Sequence, residues 1–139
     1  MAGDVAARLK AVPLLSGLST RELERLAGAM RERTVAAGDV IVSEGEGGAG
    51  FFVIDSGEAS VTRRGAEIGT LSAGDTFGEI SLIDRKPRSA TITATSECVC
   101  RGMTPWEFRP LVEENPSMAW ALLETMVERV RSAEERESS

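Results

Sequence analysis

Apolar residues along this chain change their spacing twice. Leu23, Leu26, Ala27 and Met30 recur at i, i+3, i+4 and i+7, which predicts one face of a helix over about 20–32. Ser19 and Glu22 stand three apart at its start, the spacing of a capping box. A shorter helix fits residues 4–11. From 34 to 103 the helical interval disappears, and short β-rich runs alternate with turns. Val40–Val42, Phe51–Ile54, Ala59 with Val61, and Glu67–Leu71 read as strands. Ala37-Gly38-Asp39, Arg64-Gly65 and Ala73-Gly74-Asp75 read as turns between them. Over Ala90–Cys100 alternation is clean. Ala90, Ile92, Ala94, Cys98 and Cys100 share one face and Thr91, Thr93, Thr95 and Glu97 the other, as in a half-buried antiparallel strand.

Helical spacing then returns. Thr104-Pro105-Trp106-Glu107 forms a second capping box with proline at the first helical position, opening a helix of about ten residues with Trp106, Leu111 and Val112 apolar. Asn115-Pro116 breaks the chain and starts a longer helix over about 116–135, with Met118, Leu122, Met126 and Val130 on one face. The polar end from Ser132 is expected to fray. Strands spaced roughly 8–12 residues apart predict a closed all-β sandwich, jelly roll or barrel between helices.

Composition narrows the chemistry. The 139 residues suit a single domain, and 42% hydrophobic content suffices for one core. Net charge is −6, against a nucleic-acid surface, which needs a basic face. No apolar run approaches the roughly 20 residues of a bilayer span, and the N-terminus lacks a signal-peptide pattern, so a cytoplasmic protein without membrane insertion is expected. The absence of histidine removes His-based triads, general bases and metal ligands. It also weighs against a metal-dependent cupin. Cys98 and Cys100, two apart on one face, read as reduced buried thiols rather than a bridge or a zinc site.

Two stretches carry candidate ligand chemistry. Gly45, Gly47 and Gly50 spell G-x-G-x-x-G, the dinucleotide fingerprint. That turn requires a following helix to hold the pyrophosphate, and Phe51-Phe52-Val53-Ile54 predicts a strand, so the stretch reads as an inter-strand loop. The second stretch, Phe77 to Ala90, suits an anion better. Gly78 lets backbone approach a ligand, the following residues can make one helical turn with free amides, and Arg88 is held in direction by Pro87. Glu79 is out of place against a phosphate unless the ligand also carries a hydroxyl donor, as a ribose does. Glu79 and Arg88 also suit a structural ion pair closing the loop.

Two spaced motifs resemble the cyclic nucleotide-binding domain family, which includes regulatory subunits of cyclic AMP-dependent protein kinase and bacterial cyclic AMP receptor proteins. The first is Ile41-Val42-x-x-Gly45-Glu46-x-Gly48-x-x-Phe51-Phe52-Val53-Ile54-x-x-Gly57. The second is Phe77-Gly78-Glu79-Ile80-Ser81-Leu82, then five residues, then Arg88-Ser89-Ala90-Thr91-Ile92. The resemblance covers roughly 10–137. It implies a mainly β fold: an eight-stranded β-roll of jelly-roll type over 33–103, with helical residues 4–32 before it and two C-terminal helices over 104–137 after it. It also implies a phosphate-binding cassette at 77–90.

By the same resemblance Arg88 grips the cyclic phosphate and Glu79 accepts the ribose 2′-hydroxyl. Amides near Gly78, Glu79, Ile80, Ser81 and Ala90 complete the cradle, Ser89 contacts phosphate or base, and Val61 and Leu71 offer apolar surface to the base. Serine at 89, where cyclic GMP-selective members often carry threonine, favours cyclic AMP over cyclic GMP. A lid over the purine is expected from the last helix, with Met126, Arg129 and Val130 as candidates, although core packing is the favoured reading of Met126 and Val130. The expected role is a non-enzymatic sensor that relays binding through the C-terminal helices to an unknown effector domain or protein. The last helix also offers a face for a homodimer. The alternative is a degenerate β-roll that binds no nucleotide and serves protein interaction.

Overall fold

The computed structural model describes residues 2–46 and 50–138. The chain opens with α1 (Ala2–Lys10), a 3₁₀ turn (Pro13–Leu15) and α2 (Thr20–Ala29). Eight strands follow: β1 (Arg31–Val35), β2 (Val40–Val42), β3 (Phe51–Ser56), β4 (Ala59–Arg63), β5 (Ala66–Leu71), β6 (Thr76–Phe77), β7 (Thr91–Ala94) and β8 (Cys98–Met103). One short helix, α3 (Ser81–Asp84), lies between β6 and β7. The chain then forms α4 (Pro105–Glu114) and α5 (Pro116–Ser138). These elements form two compact units, a β unit over Ala29–Arg109 and a helical unit of Met1–Gly28 with Pro110–Ser139. A single domain over 1–139 was expected, and the fold draws a division within it.

The β unit is the expected jelly-roll arrangement: two four-stranded sheets, ordered β1-β8-β3-β6 and β2-β7-β4-β5, with every pairing antiparallel. Its core is built from Val35, Ile41, Val42, Phe52, Ile54, Ala59, Ile92, Ala94, Cys98 and Cys100. Phe51 and Val53, on the other face of β3, are fully buried as well. A strand covered on both faces has no reason to alternate, which explains the unbroken apolar run at 51–54. Burial raises the pKa of both thiols, so Cys98 and Cys100 pack as neutral hydrophobes.

Two strand expectations are corrected. The alternation over Ala90–Cys100 is not one strand: it divides into β7 and β8, which lie in different sheets. Between them Thr95 and Ser96 donate their amides to the Glu58 carbonyl at 2.8 and 3.3 Å, and Ser96 Oγ accepts from the Glu58 amide at 2.9 Å. From Ala94 to Cys98 is an even step, so both strands still direct the same parity inward and the turn leaves no mark on the pattern. The helix expected to reach residue 32 ends at Ala29, because Arg31–Val35 pairs with β8 as strand β1. Only Val35 of that strand is buried. Its charges are used at the sheet surface, where Arg31 Nε meets Glu107 Oε2 at 3.0 Å.

Both capping boxes form. Ser19 N donates to Glu22 Oε1 at 2.9 Å while Glu22 N donates to Ser19 Oγ at 3.2 Å. Thr104 N donates to Glu107 Oε1 at 3.0 Å and Glu107 N to Thr104 Oγ1 at 3.3 Å. In the helical unit Leu9, Leu14, Leu15, Leu18, Leu26 and Met118 are buried. Ser117 Oγ, in the first turn of α5, donates to Glu22 Oε2 at 2.6 Å. The apolar face expected on α5 holds at Met118 and Leu122 but not at Val130, which is 53% exposed. Trp106, expected on an apolar helix face, is 60% exposed. The polar end, expected to fray, continues α5 as helix to Ser138.

Candidate functional site

The segment from β6 to β7 encloses one side of a cavity of about 400 Å³ in the β unit. All nine residues expected at the site line it: Val61, Leu71, Gly78, Glu79, Ile80, Ser81, Arg88, Ser89 and Ala90. Strand β4 supplies Val61 and β5 supplies Leu71, both half-buried against the core. This apolar lining is extended by Val42, Ile68 and Ile92. The turn through α3 and the return to β7 supply polar lining, with Glu79, Ser81, Asp84, Lys86, Arg88 and Ser89.

Gly78 sets that turn. It follows β6 with φ +88°, a conformation that side chains rarely adopt. A Cβ there would collide with the Arg88 guanidinium and the Gly50 carbonyl. The chain then closes one helical turn, with Ser81 N bonded to Gly78 O at 3.1 Å and Leu82 N to Glu79 O at 3.2 Å. The Ser81 amide, expected to serve a ligand, thus already donates within the turn. Arg85 ends α3 in the left-handed region, and Lys86 N donates to Asp84 Oδ1 at 3.0 Å.

The glycine loop proves to be part of this site's support. Gly45 N donates to Arg88 O at 2.8 Å, and Arg88 N donates to Glu46 O at 2.9 Å. The flanking strands β2 and β3 bear out the inter-strand reading over the dinucleotide one. Gly47 and Gly48 lie outside the described residues. Two motifs that sequence spacing kept apart are therefore joined through the backbone of Arg88.

Arg88 is the unusual group. Its Nε and Nη2 are buried and have no hydrogen-bond partner among the described residues. Burial lowers its pKa, and the negative charge of Glu79 opposes that shift. Buried guanidinium nitrogens left without acceptors are costly, so a site of this kind calls for an anion. The orphaned nitrogens also speak against a structural ion pair with Glu79 as the reason for both residues. Arg63 and Lys86 line the same cavity. Sequence reasoning passed over Arg63, which sits at a strand end with no motif spacing to mark it. Its Nε donates to the Ser89 carbonyl at 2.9 Å and so ties β4 to the segment that carries Arg88. The lid candidates Met126, Arg129 and Val130 belong to the helical unit.

Comparison with known proteins places this geometry. The model of the cyclic nucleotide-binding domain matches residues 32–115, more than half of the chain. A cAMP-dependent protein kinase regulatory subunit from Yarrowia lipolytica is 43% identical over 91 residues, covering 64% of this chain and 24% of that protein. The chain spans roughly a fifth to a quarter of the length of three such regulatory subunits. Among solved structures, the N-terminal domain of a transcriptional regulator from Streptomyces coelicolor superimposes with a TM-score of 0.83 at 28% identity, covering 93% of each chain. The catabolite activator protein of Thermus thermophilus gives a TM-score of 0.66 at 26% identity, over 91% of this chain and 62% of that one.

Proposed function

The chain belongs to the cyclic nucleotide-binding domain family, and from that premise we propose that it is a non-enzymatic cyclic AMP sensor. The observation that carries this reading is Arg88, a guanidinium with two buried, unpartnered nitrogens in the wall of a cavity that also has apolar lining. A cyclic phosphate supplies the missing acceptors, since a guanidinium presents paired donors to phosphate oxygens. Glu79, in the same wall, takes the ribose 2′-hydroxyl. The apolar surface of Val61 and Leu71 takes the purine, and Ser89 contacts phosphate or base. The backbone around Gly78, Glu79, Ile80 and Ala90 closes on the phosphate.

Cyclic AMP is assigned over cyclic GMP on Ser89 and on matched kinase regulatory subunits, which carry cAMP-dependent in their names. Intact Gly78, Glu79 and Arg88 in one cavity weigh against a degenerate interaction module. The two buried free thiols fit a reducing compartment, and we assign the cytoplasm. No described helix is long and apolar enough to cross a membrane.

The output runs through the C-terminal helices to an effector domain or protein. Support comes from Arg85, the residue that ends α3, whose guanidinium lies over the Trp106 ring at 5.0 Å on the first turn of α4. Ligand closing on the cassette acts on that contact, and a ligand can shift the helices only if it binds one arrangement better than another. On α5, Trp120, Leu123, Val127 and Val130 follow a 3-4-3 spacing and are each more than half exposed. That seam favours pairing with a second copy.

Calorimetric titration with cyclic AMP and cyclic GMP tests the ligand: tighter binding of cyclic AMP is expected, and no heat with either sinks the proposal. Amide exchange over 104–135, with and without saturating cyclic AMP, tests the relay, and an unchanged pattern there rejects it. Sedimentation of the protein against Val127→Glu tests the seam, with loss of a dimer expected.

A further inference from the structure

Phe52 lies in strand β3 opposite Gly102 of β8 on one side and Phe77 of β6 on the other. The three positions make a row across the sheet. The rings of Phe52 and Phe77 stack, with centroids 5.2 Å apart and planes inclined by 16°. The Arg88 guanidinium carbon lies over the Phe77 ring, 5.8 Å from its centroid. At the far end of the row, a Cβ on Gly102 would stand 2.6 and 2.8 Å from two ring carbons of Phe52. The absence of a side chain at 102 is thus what lets the Phe52 ring occupy its place.

The backbone bonds of Arg88 to Gly45 and Glu46 fix its Cα but not its guanidinium. Hydrogen bonds do not orient Nε and Nη2, which have no partner among the described residues. Besides the charge of Glu79, which acts on the group without a hydrogen bond to these two nitrogens, the guanidinium lies against the bare surface of Gly78 and the face of Phe77. An aromatic face attracts a cation through its quadrupole without taking any of its N–H donors. A carboxylate in the same place would orient the guanidinium but occupy the donors an anion needs.

We propose that Phe77, seated by Phe52 and Gly102, is the positioning residue that holds the Arg88 guanidinium ready for an anion while leaving its donors free. The ligand half of this inference rests on the cyclic nucleotide reading; the positioning half does not. Such preorganisation raises affinity by removing the ordering cost at the moment of binding.

Two measurements test it in parallel on the whole chain. The Arg88 Nε–H resonance, identified by its loss in Arg88→Lys, reports the guanidinium in the ligand-free protein. It is expected to be ring-shifted and rigid, to become mobile in Phe77→Leu, and to be retained in Phe77→Tyr. Replacing Phe77 by pentafluorophenylalanine keeps the ring's shape, and hence the fold, while reversing its quadrupole, and is expected to free the group as well. Calorimetry with cyclic AMP is expected to show affinity reduced roughly three- to thirty-fold in the leucine and fluorinated proteins and near normal in the tyrosine protein. An Arg88 resonance and an affinity that ignore fluorination of the ring overturn the proposal. If the unaltered protein binds neither cyclic AMP nor cyclic GMP while the resonance responds as described, the positioning role stands and the ligand reading falls.

Discussion

Gly78 and Arg88 are packed so closely that the glycine's missing side chain is the space the guanidinium occupies. Gly78→Ala therefore meets two obstacles. The backbone at φ +88° disfavours any side chain by about 1–2 kcal/mol, and the added carbon displaces Arg88. Affinity for cyclic AMP is expected to fall at least about tenfold, since that corresponds to only about 1.4 kcal/mol. Calorimetry measures the loss, and circular dichroism checks that the β unit persists. Affinity like that of the unaltered protein counts against the cassette geometry.

Arg88 should show opposite effects on stability and binding. In the ligand-free protein its buried, unpartnered nitrogens are a burden, and an apolar group of similar length relieves it. Arg88→Met is expected to leave the melting temperature of the free protein unchanged or higher. The same change removes charge-assisted bonds worth about 1.5–3 kcal/mol, so cyclic AMP binding weakens at least about tenfold. Thermal unfolding and titration on one sample decide the matter. A marked fall in melting temperature without ligand would make the guanidinium a structural group instead.

What the sequence showed of this site depended on local rules. Both capping boxes were legible because four adjacent residues determine them, and both form. The nine lining residues were legible because the motif spacing resembles a known family, and they line one cavity. The turn between β7 and β8 was hidden, because an even step from Ala94 to Cys98 preserves the alternation. Strand β1 was hidden because charges that pair across the surface, such as Arg31 with Glu107, erase its pattern. Arg63 and the bond between the glycine loop and Arg88 depend on residues 26 and about 40 positions apart, which no periodicity reports.

The proposed role of Glu79 makes a ligand-dependent prediction. Its carboxylate lines the same cavity as Arg88, and its charge acts on that guanidinium. If it accepts the ribose hydroxyl, Glu79→Gln should weaken cyclic AMP binding by a smaller factor than loss of Arg88, because one hydrogen bond to a charged group is at stake. A 2′-deoxy analogue should bind the two proteins with similar affinity. Equal losses for both ligands would remove the hydroxyl role and leave Glu79 as an electrostatic neighbour of Arg88.

Glu107 links the start of α4 to acid stability. Its carboxylate accepts from the Thr104 amide at 3.0 Å and from the Thr104 hydroxyl at 3.1 Å, and it meets Arg31 at 3.0 Å. The Thr104 amide is the main reason that its pKa lies below the ordinary value of 4.5; the Thr104 hydroxyl and Arg31 add to this and burial opposes it. Arg31 is 83% exposed, so the ion pair itself contributes little. A carboxyl depressed in the folded state binds fewer protons there than in the unfolded chain, so stability rises with pH across that window. The contribution is complete above 4.5 and disappears as pH falls through the folded value. Glu107→Gln is expected to cost on the order of 1 kcal/mol at neutral pH, the usual scale of a cap, and to flatten the acid side of the stability profile. Glu22 is depressed chiefly by its bond from Ser117, so Glu22→Gln should behave alike at α2. Urea midpoints from about pH 3 to 7 compare the two variants with the unaltered protein. An acid slope identical in all three proteins would show that neither carboxylate carries the effect.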